Sequence, residues 1–222
     1  MLTVLIRWVL APLARLVYRP TVIGAENVPL DGPVIIAANH LSAVDTGVIP
    51  LVTPRKVAFL SKAEYFNQRG IKGRFVAAFL SALGYVPVDR ENAHAALAAL
   101  TAARRVLDAD DAFGIYPEGT RSLDGRLHRG HTGVAQLALS TGAPVVPVGL
   151  VGTDAMQPIG SRIPRLARIT VRFGEPMHFT RYDDMASSPA IRRAVTDEIM
   201  YAILELSGQT YVDHYHERPK AA

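Results

Sequence analysis

Among its 222 residues the chain has no cysteine. That absence excludes disulfides, thiolate nucleophiles and cysteine-based zinc sites together, and it fits a reducing compartment. Repeats and low-complexity tracts are missing as well. The nearest approach, the alanine-rich stretch 93–103, reads as helix because alanine has the strongest helix propensity. There is no acidic excess: 24 Lys and Arg stand against 20 Asp and Glu, giving a formal charge of +4 and a pI of about 9.5. Such a balance suits a partner that carries phosphate, or an anionic membrane surface. We expect no nucleic-acid partner, since no basic run is interleaved with aromatics and the arginines are scattered through hydrophobic segments.

What the chain does have is a 49% hydrophobic composition, enough for one large core and too short a sequence for two. The expected organisation is an N-terminal helix over 1–18, one domain over 19–207 and a tail over 208–222. The first eighteen residues, MLTVLIRWVLAPLARLVY, superficially resemble an export signal, but Arg7 and Arg15 break the apolar run, which argues against both a signal peptide and a membrane span. Drawn as a helix at ~100° per residue, Arg7, Ala11, Arg15 and Tyr18 share a narrow sector, and leucine, isoleucine, valine and tryptophan cover the rest. That pattern predicts an amphipathic, membrane-associated helix lying in a bilayer interface and kinked at Pro12; a helix packed on the protein's own core is the alternative.

Apolar runs rich in β-formers recur at 21–24, 34–38, 57–61, 85–88, 113–116, 145–150 and 169–173. Helical spacing fills much of the remainder, at 74–83, 92–107, 132–141 and 190–206. Alternation of this kind predicts an α/β domain with a mixed, largely parallel sheet flanked by helices. In such sheets chemistry gathers where strands end. Four strand exits carry unusual polar residues: Asn39–His40, Asp89–Arg90, Glu118–Arg121 and Thr153–Asp154.

The first exit sits in IIAANHLSAVDTG, residues 35–47. Ser42-Ala-Val-Asp45 matches a helix capping box. On one continuous helix His40 and Asp45, five positions apart, would point ~140° away from each other. The histidine must therefore precede the helix if the carboxylate is to reach it. Under that condition Asp45 could hold one ring nitrogen, fix the tautomer and stabilise imidazolium, leaving the other nitrogen to take a proton from a hydroxyl.

NHLSAVD resembles the Asn-His-x4-Asp block of the glycerolipid acyltransferases, and three further blocks follow in that family's order: GYVPVDR at 84–90, YPEGTRS at 116–122 and APVVPVGL at 143–150. The resemblance covers about residues 34–150. It implies transfer of a fatty acyl group from acyl-CoA or acyl carrier protein to a glycerophosphate lipid acceptor at a membrane surface, with His40 as general base and Asp45 as its partner. The leading acceptor is 1-acylglycerol-3-phosphate, with phosphatidate as product. Glycerol-3-phosphate, another lysophospholipid or a lipid-linked alcohol is the alternative acceptor, and a non-catalytic lipid-binding relative is the alternative class. No cofactor is implied beyond the acyl donor. A covalent acyl-enzyme is not required, and the chain offers no Gly-x-Ser-x-Gly elbow.

The same resemblance implies an acceptor-phosphate site made by Arg90 and Arg121, arginine being suited to bidentate phosphate binding. Gly119 would admit the ligand, Thr120 lies beside it, and Glu118 would pair with Arg121 or fix the turn. Asn39, Arg129 and His131 are supporting candidates, with one departure: relatives often carry lysine where this chain has His131. A basic cluster at Lys62, Lys72 and Arg74 could meet CoA phosphates or lipid head groups, a solvated face being the alternative for each residue. The acid and two histidines of DHYHE, 213–217, lack partners at metal-ligand spacing, and we expect no metal site there. For His94, His128 and His178 no partner is visible in the sequence.

Overall fold

The computed structural model describes residues 11–67, 70–88, 95–161 and 163–216. Its strands are β1 (Thr21–Ile23), β2 (Val34–Ala38), β3 (Val57–Lys62), β4 (Tyr85–Val88), β5 (Ala112–Ile115), β6 (Leu127–His128), β7 (Val145–Val151), β8 (Thr170–Phe173) and β9 (Tyr211–Val212). Seven of them form one sheet in the order β1-β8-β7-β2-β5-β3-β4, while β6 and β9 pair separately. From β7 through β4 the pairing is parallel; β8 runs antiparallel to β7, and β1 is parallel to β8. The expected mixed, largely parallel sheet is therefore present.

The helices are α1 (Ala11–Tyr18), α2 (Asp45–Val52), α3 (Gly70–Leu83), α4 (Ala95–Leu107), α5 (Gly133–Thr141), α6 (Thr153–Met156) and α7 (Pro189–Ser207). They cover both faces of the sheet, which is why the central strand β2 is apolar at every position and wholly buried. Its side chains alternate between two cores. Val34, Ile36 and Ala38 join Val48, Ile49 and Val52 of α2, and Ile35 and Ala37 join Leu137 of α5 with Ile199 and Ile203 of α7. The longest helix, α7, begins and ends on clear local chemistry. Ser188 accepts from the Ile191 N–H, Pro189 opens the first turn, and Gly208 takes the left-handed C-terminal position at φ 68°.

Residues 1–10 of the expected N-terminal helix lie outside the described residues. In α1 the exposed Arg15 donates from its guanidinium to the Leu51 carbonyl at the end of α2, and Tyr18 rests on the core. Leu13, Leu16 and Val17 are exposed. Over these residues the apolar side of the helix is turned away from the protein, opposite to what packing on the core would require.

Candidate active site

The C-terminal ends of β2, β5 and β7 lie side by side, and the site is built on the loops leaving them. Asn39, one residue past β2, is fully buried and bolts that strand to its neighbour. Its amide nitrogen donates to the Leu150 carbonyl at 3.0 Å and its amide oxygen accepts from the Leu150 N–H at 2.7 Å. The same nitrogen donates to Gln209 Oε1 at 2.8 Å. With the strand end fixed, His40 occupies the connecting turn, before the helix that Asp45 begins.

The geometric condition set by the spacing is thus met: His40 Nδ1 lies 2.9 Å from Asp45 Oδ2. That carboxylate oxygen also accepts from the backbone N–H groups of Leu41 at 2.7 Å and Ser42 at 2.8 Å. Three donors on one buried oxygen fix the carboxylate within the turn. Half of the capping box is realised, since the acid reaches back to the Ser42 N–H. The other half is not. The Ser42 hydroxyl turns away to donate to the Gln157 carbonyl at 2.9 Å, and α2 has no side-chain cap.

The fifth strand holds His40 from the other side. Tyr116 follows β5 and stacks on the imidazole, with ring centroids 3.9 Å apart and planes 12° from parallel. Phe59 backs Tyr116 at 5.5 Å, and Gly114 makes room for it, because a Cβ there would come within 2.1 Å of the Phe59 ring. Burial pushes the Tyr116 hydroxyl far up, and the nearby Asp45 charge adds to the shift, so the ring stays neutral. His40 Nε2 makes no hydrogen bond with a described residue, and the side chain is 14% exposed. Its orientation is fixed while one nitrogen faces outward.

Glu118 does not pair with Arg121. Its buried carboxylate accepts the His40 N–H at 3.3 Å through Oε1 and the His128 N–H at 2.9 Å through Oε2. Burial raises its pKa from 4.5 to about 7, against the pull of those two N–H donors. The Ser122 N–H then donates to the His40 carbonyl at 2.7 Å, so the segment 118–122 clasps the histidine backbone at both ends. Within that segment Arg121 and Gly119 are exposed and Thr120 is half-buried. The Arg121 guanidinium makes no ion pair with a described residue. Gly119 adopts φ 72°, and a Cβ there would crowd His131 at 3.1 Å, which accounts for the glycine.

The supporting candidates separate. His131 stacks on Tyr215 at 4.6 Å; Arg129 lies over the same ring and pairs with Asp213 at 3.6 Å. Arg90, with Asp89 and His94, falls outside the described residues, and of Lys62 and Lys72 the side chains do too. His128 has partners the sequence did not reveal. Asp124 bonds its Nε2 at 3.0 Å, and the rings of His214 and His216 pack on it at 5.3 and 4.4 Å. Among the described residues no group of histidines and acids is arranged to hold a metal.

The acyltransferase family matches residues 19–151 of this chain, a span that contains every element of the site so far described except the residues from β8 onward and the 157 carbonyl. The chain belongs to the acyltransferase family. Similar proteins include a chloroplastic 1-acyl-sn-glycerol-3-phosphate acyltransferase of Arabidopsis thaliana, 30% identical over 75% of this chain and 46% of the relative. A 1-acyl-sn-glycerol-3-phosphate acyltransferase of Borreliella burgdorferi is 32% identical over 60% and 51%. The chain spans about half the length of the curated relatives it matches. Among solved structures, the 1-acyl-sn-glycerophosphate acyltransferase PlsC of Thermotoga maritima matches with a TM-score of 0.62 and 28% identity, covering 84% of this acyltransferase-family chain and 71% of that one.

Proposed function

We propose that this acyltransferase moves a fatty acyl group from acyl-CoA or acyl carrier protein to the free hydroxyl of 1-acylglycerol-3-phosphate at a membrane surface, making phosphatidate. The observation that carries the reading is His40, held by Asp45 through Nδ1 with Nε2 left open. His40 Nε2 takes the proton as the acceptor oxygen attacks the thioester carbonyl. Asp45 stabilises the imidazolium so formed. That attack forms the C–O bond and a tetrahedral oxyanion; its collapse restores the carbonyl as the ester and breaks the C–S bond, and the departing thiolate takes the proton back from His40. Arg121, exposed and unpaired with any described residue one position from the Ser122 clasp, binds the acceptor phosphate. Gly119 and Thr120 shape the approach, and Glu118 acts by positioning. Arg90 is proposed as the second phosphate ligand on the family resemblance alone.

The relatives' names favour 1-acylglycerol-3-phosphate over glycerol-3-phosphate as acceptor. The outward apolar side of α1 supports work at a lipid surface. The test is an acceptor panel with purified protein and acyl-CoA, read as released thiol; a chain without cysteine adds no thiol background. Release is expected with 1-acylglycerol-3-phosphate above all. Folded protein that releases no thiol with any glycerophosphate acceptor would overturn the proposal.

A further inference from the structure

Between β7 and β8 the chain leaves the sheet for the segment 157–168, QPIGSRIPRLAR, which contains three arginines and no acid. Its aliphatic side chains point away from the protein: Ile159 is 62% exposed, and Ile163 and Leu166 are each 76% exposed. Arg165 and Arg168 are exposed between and beside them. A single exposed leucine is ordinary, but three large aliphatics within eight residues, alternating with arginine, form an apolar surface that no described part of the chain covers.

The backbone beneath them is well tied. The Arg165 N–H donates to the Met156 carbonyl at 2.7 Å, the Ser161 N–H to the Pro158 carbonyl at 2.9 Å, and Gln157 Nε2 to the Ser161 carbonyl at 3.2 Å. Gly152, at φ 83°, lets the Arg168 carbonyl close the base, where a Cβ would come within 2.3 Å of it. The exposed side chains of the described residues thus stand on a hydrogen-bonded backbone at residues 157–161 and at Arg165.

Two links give the loop its place. Ser42, in the His40 turn, donates its hydroxyl to the Gln157 carbonyl at 2.9 Å. The Thr21 N–H, just after α1, donates to the Ile169 carbonyl at 3.0 Å. Because β1 runs parallel to β8 and β8 antiparallel to β7, α1 and the loop leave the sheet at the end where His40 stands. Leu13, Leu16 and Val17 of α1 and Ile159, Ile163 and Leu166 of the loop therefore rise from the same edge.

We propose that segment 157–168 docks on an anionic bilayer, its aliphatic side chains entering the acyl-chain boundary and Arg165 and Arg168 meeting lipid phosphates at the head-group level. The charge pattern selects this occupant. Arginine can rest its stem on apolar surface while its planar fork binds phosphate, and the loop has no acid to repel an anionic surface. Docking brings the His40 turn to the lipid plane, and this last step rests on the acyltransferase reading given above.

The test uses the full chain and phosphatidylcholine vesicles with or without phosphatidylglycerol. Ile163→Ser with Leu166→Ser, both at exposed positions, is expected to lower partition onto the mixed vesicles by roughly tenfold or more, the worth of two aliphatic side chains withdrawn from hydrocarbon. Arg165→Gln with Arg168→Gln is expected to weaken binding to the anionic vesicles and to leave weak binding to pure phosphatidylcholine unchanged. A Leu166→Trp reporter in a Trp8→Phe background, which removes the single native tryptophan, is expected to be quenched by brominated acyl chains. An unquenched indole with unchanged partition of the double serine variant overturns the proposal, as does concentration-dependent self-association that this variant abolishes without any vesicle signal. Turnover of a short-chain, monomerically soluble acceptor should be the same in the serine variant and the native protein. Its absence from both would overturn the catalytic reading and leave docking standing.

Discussion

His40 and Arg121 stand on the loops of neighbouring strands, yet their surroundings differ in kind. The histidine is held everywhere except at Nε2: Asn39 fixes the strand end behind it, Asp45 binds its ring, Tyr116 stacks on its face, and Glu118 and Ser122 grip its backbone. Arg121, three residues after Glu118, is exposed and has no ion pair with a described residue. A group that must take a proton from a hydroxyl needs its geometry set beforehand, since small displacements are costly in rate. A group that meets a mobile phosphate can keep its freedom until the ligand arrives. The contrast separates residues whose loss should stop turnover from those whose loss should weaken binding.

The contrast can be broken at its rigid side first. Under the proposed mechanism Asp45→Asn removes the charge that would stabilise the imidazolium, and it is expected to lower kcat by roughly 10²–10⁴-fold, the range of general-base assistance, in a folded protein checked by its thermal transition. A kcat near that of the native protein would leave Asp45 a purely structural residue.

The next effect is on stability and its pH dependence. Burial raises the Glu118 pKa from 4.5 to about 7, so the folded chain retains a proton that the unfolded chain releases. The associated stabilisation is fully present below pH 4.5 and is lost as the pH rises through about 7, up to about 3 kcal/mol in all. Glu118→Gln lacks that titration. The Tm of the native protein minus that of the variant should therefore fall steadily as the pH rises through this window, and a constant difference would contradict the assignment.

Asn39→Ala should cost about 1–3 kcal/mol in denaturant unfolding, because it leaves the buried Leu150 N–H and carbonyl without their partner. Smallest is the expected change at the open rim. Arg121→Ala should raise KM for the acceptor by roughly tenfold, about 1.4 kcal/mol, with kcat little altered. A fall in kcat with unchanged KM would erase the distinction between rim and turn.

Much of this arrangement was legible in the sequence. All seven main strands begin and end within one residue of the apolar runs that predicted them, because β2, β5 and β7 are covered on both faces and their hydrophobic runs are unbroken. The spacing of His40 and Asp45 stated the condition that the turn then meets. What lay hidden was long-range. β6 and β9 are two residues each, too short to show a period, and lie more than eighty residues apart. The bolt from Asn39 to Leu150 spans 111 positions, and nothing local marks it. Ser42 looked like a cap because its spacing to Asp45 fits one, but the Gln157 carbonyl competes for its hydroxyl. Tyr116 was in view within YPEGTRS, and an aromatic placed directly after a strand facing the histidine's exit was the signal available for it.

The most direct measurement of the central claim is thiol release from acyl-CoA in the presence of 1-acylglycerol-3-phosphate by the His40→Ala protein, with acceptor binding followed in parallel. Turnover is expected to fall by roughly 10²–10⁴-fold with acceptor binding retained. Near-native turnover in a folded His40→Ala protein would contradict it.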